Sequence, residues 1–303
     1  MDVRRLGLLR ELADRGTVTA VAQALHLTPS AVSQQLKALE KEAGVPLTER
    51  SGRGLVLTAP GRVLAETAKD LAVAIQQAES VWADFVEQPK GEVTVTVFPS
   101  VGQMLIPGTL HRVAGVAGLR VICSDQDPLL PDFLDLTLDH DIVVADAPGV
   151  LPGWRERSLV ITELLREPLD IVLPEGHPLA ARTELTPADV IGERWIGVPV
   201  GHPFDRILQR IEAITGQQAD VAQRFIDNGI VEAMVAGGHG IAILPRYTTR
   251  DHENGLVTRP LAGVRSERLI WAIQRPEVAV RPSVRLVIEA LRDEAEQFTA
   301  QHA

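Results

Sequence analysis

Ser30, Ser33, Gln34 and Lys37 stand at i, i+3, i+4 and i+7, so on a helix they share one face. Short hydroxyl and amide side chains beside a lysine can reach phosphate oxygens and base edges without colliding with a duplex. Val32, Leu36 and Leu39 form a second stripe that packs. Taken alone, the polar stripe also fits an ordinary solvated helix face. Its setting favours the first reading: Thr28 and Pro29 supply a capping hydroxyl and a first-turn proline, which predicts a helix from Pro29 to about Ala43 with Gly44 past its end. Arg50 and Arg53 lie at the Ser51-Gly52-Arg53-Gly54 tip of two short strands, where a guanidinium reaches a phosphate or the minor groove; the alternative is an exposed turn with incidental arginines.

Other chemistry-bearing residues form no catalytic pattern. Gly237-Gly238-His239-Gly240 precedes a strand instead of following one, so it fails the context of a dinucleotide loop and reads as a helix-ending turn. His177, His202, His239 and His252 lack metal-ligand spacing, and no G-x-S-x-G elbow supports a serine nucleophile. No catalytic residue, cofactor or metal is assigned. Cys123 is the one cysteine, which excludes an intramolecular disulfide and a paired-thiol redox sensor.

These residues need elements to position them. The 303 residues suffice for more than one core. No run of about 18 apolar residues occurs, and charges interrupt MDVRRLGLLRELADRG, so neither a membrane span nor a secretory signal is expected. The expected location is the cytoplasm, at the nucleoid when bound to DNA. The net charge of −10 argues against a nucleic-acid partner for the chain as a whole. Residues 1–58, however, carry eight cations against six anions, a balance of +2 that leaves −12 for the rest. Phosphate neutralisation is local, so a weakly basic head suffices if its cations face one way.

Asp2 and Gly16 bracket a first helix, and Thr17 caps a second that ends near His26. Short helix, turn and longer helix make a helix-turn-helix. Thr58-Ala59-Pro60-Gly61 opens a long helix that Pro89 and Gly91 stop. Its Leu64, Ala68, Leu71, Ile75, Ala78, Trp82 and Phe85 repeat as a heptad seam that could dock on its own domain, but a long helix between two domains has little intramolecular surface to cover, which favours dimerisation with a second copy of the chain. Beyond Glu92, strands such as VTVTVF, LRVICS, DIVVA, LDIVLP, RWIGVP, ADVAQRF, GIAILP and LIWAIQ alternate with helices from about Ser100, near Pro131 to Leu138, from Phe204, from about Asn228 and from about Pro282 to Phe298, an α/β pattern.

Together these residues resemble the LysR-type transcriptional regulators. The likeness runs through Gly16-Thr17, Thr19 to Ala22, Leu25, Leu27 to Leu36, Leu39-Glu40, Gly44 to Leu47, Arg50 and Thr58, and continues in Gly176 to Ala180 and Gly238 to Pro245. The chain departs from the usual pattern at Pro29, Gln34 and Thr48, the last replacing a common phenylalanine. The resemblance implies a winged helix-turn-helix over residues 1–58, a linker and dimerisation helix over 59–90, and an effector-binding domain over 91–303. That domain is expected to consist of two α/β subdomains like those of a periplasmic binding protein, about 91–163 with 269–303 and about 164–268. Thr28, Ser30, Ser33, Gln34, Lys37, Arg50 and Arg53 are then the DNA-binding residues.

Three helix starts are expected to face the cleft between the subdomains. They bring Pro99 and Ser100, then Val200, Gly201, His202 and Phe204, then Asp227 and Asn228. Unpaired amides at a helix start favour an anion, so a small carboxylate is the expected effector, although each residue could merely cap its helix. The partners expected are double-stranded DNA, that effector and further copies of the chain as a homodimer or homotetramer, with no membrane. The function is effector-modulated, sequence-specific regulation of transcription. The alternative is a cytoplasmic solute-binding or enzymatic α/β protein whose N-terminal helices serve only assembly.

Overall fold

A computed structural model describes residues 1–51, 54–85 (side chains to 82), 90–127, 133–250 and 255–302. The chain divides into two compact units, Met1–Gly91 with Arg275–Arg285, and Glu92–Gln274 with Leu286–Ala303.

The first unit is assembled from capped helices. α1 (Val3–Arg15) begins where the Asp2 carboxylate accepts from the Arg4 amide at 2.8 Å and ends at Gly16 in the left-handed region. α2 (Val18–Ala24) is capped by Thr17, and α3 (Pro29–Ala43) by Thr28, whose hydroxyl oxygen accepts from the Ala31 amide at 3.1 Å. α2 ends before His26, which takes a positive φ of 53° in the turn to α3. β1 (Thr48–Ser51) and β2 (Gly54–Leu57) pair antiparallel as the wing, and α4 (Ala59–Phe85) follows. Leu9, Leu12, Val21, Val32, Leu36, Leu39 and Leu47 form the core.

The long helix departs from its expected use. Leu64, Ala68 and Leu71 pack into this unit's own core, so the first half of the seam is satisfied within the chain. This helix has intramolecular surface to cover after all, because α1 lies along it. Further on, Ile75 is half-buried, Ala78 is exposed and Trp82 is 66% exposed, while the Phe85 side chain lies outside the described residues.

In the second unit, β3 (Gly91–Val97), α5 (Pro99–Val113), β4 (Leu119–Asp125), α6 (Phe133–Leu136), β5 (Ile142–Asp146) and α7 (Pro152–Glu156) lead into β6 (Val160–Pro174). Then come α8 (Pro187–Val190), β7 (Arg194–Gly197), α9 (Asp205–Thr215), β8 (Asp220–Arg224), α10 (Asn228–Ala236), β9 (Ala242–Pro245), β10 (Leu256–Arg259) and β11 (Glu267–Gln274). α11 (Pro276–Ala279), which belongs to the first unit, and α12 (Pro282–His302), most of which belongs to the second, end the chain.

β6 joins the two halves of this unit. Its residues up to Pro168 pair antiparallel with β11, which in turn pairs with β5, while β3 lies parallel to β5. From Leu169 onward it pairs instead with β9 and β10. The expected boundary between the subdomains, near residues 163–164, therefore lies within a continuous strand that changes partners at Pro168–Leu169. Leu169, Ile171 and Leu173 pack with Trp195, Ile207, Leu208 and Ile211 in the core of the second half.

Candidate functional site

Two surfaces carry candidate chemistry. On α3, Val32, Leu36 and Leu39 are at most 2% exposed, which fixes the opposite face outward. Thr28, Ser30, Gln34 and Lys37 are exposed there, and Arg50 is exposed on β1. Arg53 lies outside the described residues. Ser33 is half-buried, and its hydroxyl donates to the Pro29 carbonyl at 2.8 Å, so its proton is already committed to the helix backbone.

The wing is fastened to this helix from below. One carboxylate oxygen of Glu40 accepts from the Leu47 amide at 3.0 Å and from the Thr48 amide and hydroxyl at 2.8 Å each. Thr48 therefore anchors the wing by hydrogen bonding where a phenylalanine would anchor it by burial. Thr58 completes the corner: its hydroxyl donates to the Pro46 carbonyl at 2.8 Å and its amide to the Leu47 carbonyl at 3.0 Å.

In the second unit, β3 and β5 run parallel and end together, at Val97 and Asp146, beside a cavity of about 460 Å³. Crevices at the carboxyl ends of strands are where open α/β sheets bind ligands. Pro99, Ser100, His202, Phe204, Asp227 and Asn228 line the cavity, gathered from α5, the turn before α9 and the start of α10. Val200 and Gly201 do not: Gly201 turns the chain at φ 91°, and Val200 is 72% exposed. α9 begins at Asp205, with Phe204 as its N-cap residue.

The helix starts differ in what they offer. Asp227 accepts from the Ile230 amide at 2.8 Å, so it caps α10 itself. α5 has Phe98 before its first turn and no side-chain cap, which leaves its opening amides available to an acceptor.

The polar centre was not anticipated from sequence. Arg268, 4% exposed, donates to Glu167 at 2.7 Å and to the Ser100 hydroxyl oxygen at 3.0 Å, with its guanidinium 5.2 Å from the Phe98 ring and 5.7 Å from Phe204. Glu167 is fully buried and also accepts from the Tyr247 amide. His202 accepts from the Phe204 amide through Nδ1 at 3.3 Å. Burial, aided by the positive charge of Arg268, holds His202 down at about 4, so it is neutral at pH 7 and its Nε2 is assigned the proton.

Asp146 is 8% exposed, and its carboxyl is pushed up to about 6 by burial; Arg268 opposes this while Asp127 and Glu167 add to it. Loss of solvation also raises Asp127 above the ordinary carboxylate range. Glu232 sits 3.6 Å from Arg250 on the same wall. The available signal for Asp146 was its position, an acid closing the otherwise apolar strand IVVAD. Among the described residues no group of three or more His, Cys, Asp or Glu is placed to hold a metal, and no helix is long and apolar enough to cross a membrane.

Residues 3–62 match the family of bacterial regulatory helix-turn-helix proteins of the lysR family, and residues 87–296 match the LysR substrate binding domain. The transcriptional activator protein LysR of Escherichia coli (strain K12) is 29% identical over 291 residues, spanning 92% of this chain and 90% of that protein. The DNA-binding transcriptional dual regulator OxyR of the same organism is 25% identical over 300 residues, spanning 96% and 95%. The crystal structure of full-length CbnR complexed with its target DNA is similar in fold, with a TM-score of 0.55 at 21% identity, covering 97% of this chain and 100% of that one.

Proposed function

This chain belongs to the LysR-type transcriptional regulators, DNA-binding proteins with an effector-binding domain, and from that membership we propose how it reads DNA and what it senses. α3 enters the major groove with Ser30, Gln34 and Lys37, while Arg50 on β1 contacts a flanking phosphate; Arg53, outside the described residues, is the second cation the sequence offers there. Two or four copies assemble, and two heads engage the two halves of an imperfect inverted repeat. The second half of α4 and its apolar residues from Ile75 onward supply part of the assembly surface. The protein works in the cytoplasm, at the nucleoid when bound to DNA.

The effector is a small carboxylate seated in the cavity, with its anionic end at the uncapped first turn of α5 beside Ser100 and the neutral donor of His202. Its effect on DNA is differential, since a ligand shifts a population only by preferring one arrangement of the subunits. Peroxide responsiveness through a thiol pair has no basis in this chain, because Cys123 is alone. The reading of the chain as an enzyme or plain solute binder is set aside by the regulatory helix-turn-helix match over residues 3–62.

The observation that carries this proposal is the outward polar face of α3, held by its fully buried apolar stripe. In-vitro selection of duplexes on the intact chain, followed by footprinting, tests it. The expected result is a protected inverted repeat whose binding falls steeply with salt and whose footprint changes with a cavity ligand. Recovery of no preferred duplex would refute the DNA-reading face.

A further inference from the structure

The charges around the cavity are sorted by what already holds them. Asp227 is spent on the α10 cap, Glu232 lies beside Arg250, and Arg268 is held by Glu167 and Ser100. Two acids remain. The carboxylates of Asp146 and Asp127 line the cavity and make no hydrogen bond or ion pair with any described residue. Asp146 is more than nine-tenths buried, and the two carboxylates are close enough to repel one another. A buried carboxylate is costly unless donors satisfy it, and Arg268 reaches Asp146 only through its charge, its hydrogen bonds going to Glu167 and Ser100.

We propose that the effector carries a primary ammonium or comparable cationic group that seats against Asp146 and Asp127, which makes it an amino-carboxylate. An ammonium offers three donors on a compact charge, enough to bridge two neighbouring carboxylates. The carboxylate end then lies toward α5, and the apolar walls at Phe133, Phe204 and Ile226 accommodate the carbon stem between the two charges. The inference rests on the cavity being the effector site and adds the second recognition group. It also gives the buried charge its counterpart: the ligand brings the donors that the fold withholds.

Calorimetry on the full chain at pH 7.5 tests this with three probe series of matched length. These are the ω-amino carboxylates from glycine to 6-aminohexanoate together with the common L-α-amino acids, the same carboxylates without the amine, and the same amines without the carboxylate. The expected binders all carry the amine, and the tightest loses at least ten-fold in affinity when the amine is removed. It loses at least ten-fold again in Asp146→Asn, which keeps the side-chain shape, and is weakened in Asp127→Asn, whose exposed position leaves folding intact. Equal affinity for the plain carboxylate, affinity indifferent to both substitutions, or no binding by any amine-bearing probe overturns the proposal. Plain carboxylates that bind and alter the operator footprint would defeat the ammonium subsite while leaving the cavity as the effector site. Amine binding that depends on Asp146 without any change in the footprint would do the reverse.

Discussion

Glu40 and Thr48 are joined twice, the Thr48 amide and hydroxyl both donating to the same Glu40 carboxylate oxygen at 2.8 Å. That oxygen also takes the Leu47 amide, so three hydrogen bonds tie the wing to α3. Replacing Glu40 with Ala strands three donors at the edge of the core. The expected cost is about 1–3 kcal/mol, the penalty of leaving such donors unsatisfied. Hydrogen exchange at the Leu47 and Thr48 amides should accelerate markedly, whereas Glu40→Gln, which keeps a carbonyl acceptor, should retain much of the protection. Unchanged exchange in Glu40→Ala would show that the wing is held by something else.

Gly61 supplies the second constraint on that corner. A Cβ built there meets the Leu47 carbonyl oxygen at 2.0 Å and its carbon at 3.0 Å, so the first turn of α4 must move away from the wing. On helix propensity alone, Gly→Ala stabilises by about 1 kcal/mol. Steric overlap with fixed backbone reverses the sign, and Gly61→Ala is expected to destabilise the first unit by about 2 kcal/mol or more. Thermal melting of the purified chain decides between the two signs.

The polar residues of α3 differ in what their donors already hold, Thr28 and Ser30 sharing one hydroxyl hydrogen bond at 3.0 Å. Lys37 is exposed, and the hydroxyl of Ser33 is already donating to Pro29. Lys37→Ala should therefore weaken binding to every duplex and lower the slope of log affinity against log salt by about one unit per protomer. Ser33→Ala should change affinity far less, because its proton is not available to a phosphate. Fluorescence anisotropy of a labelled duplex from 50 to 300 mM salt, on the order of the range over which counterion release is resolved, separates these outcomes. A larger loss in Ser33→Ala than in Lys37→Ala would mean that the helix meets DNA through a different edge.

The first unit was largely legible in sequence because its signals are local. Asp2, Thr17 and Thr28 each cap the helix they immediately precede, and Gly16 and Gly44 each end one. The second unit was legible in kind but not in detail. Only the second part of β6, LDIVLP, reads as a strand, because its neighbours, β11 on one side of Leu169 and β9 and β10 on the other, come from at least 70 residues further along the chain. The seam of α4 has a helical period that is the same whether it faces a second copy or α1, so only packing reveals that Leu64, Ala68 and Leu71 are used at home. At the cavity, helix-start residues were found by their capping chemistry. Arg268 and Glu167 were not, since nothing near either one in the sequence indicates a partner 101 residues away.

Asp146 makes the stability of the second unit depend on pH in a direction opposite to that of a salt-bridged carboxylate. Its carboxyl sits at about 6 in the fold against an ordinary value near 3.8, raised by burial and by Asp127 and Glu167 against the pull of Arg268 and Arg206. The native state thus holds the proton more tightly than the unfolded chain. The group's contribution is fully present below pH 4 and is lost as pH rises through about 6, amounting to on the order of 3 kcal/mol by neutral pH. Asp146→Asn removes the titration while keeping the shape of the protonated acid. The ligand-free variant should therefore match the parent near pH 4 and exceed it in melting temperature by several degrees at pH 7.5, with the gap opening between those limits. Melting curves taken at half-unit steps from pH 4 to 8 measure that gap. A difference that stays flat across the range, or one that widens toward acid, would show that Asp146 is ionised at no cost in the ligand-free protein.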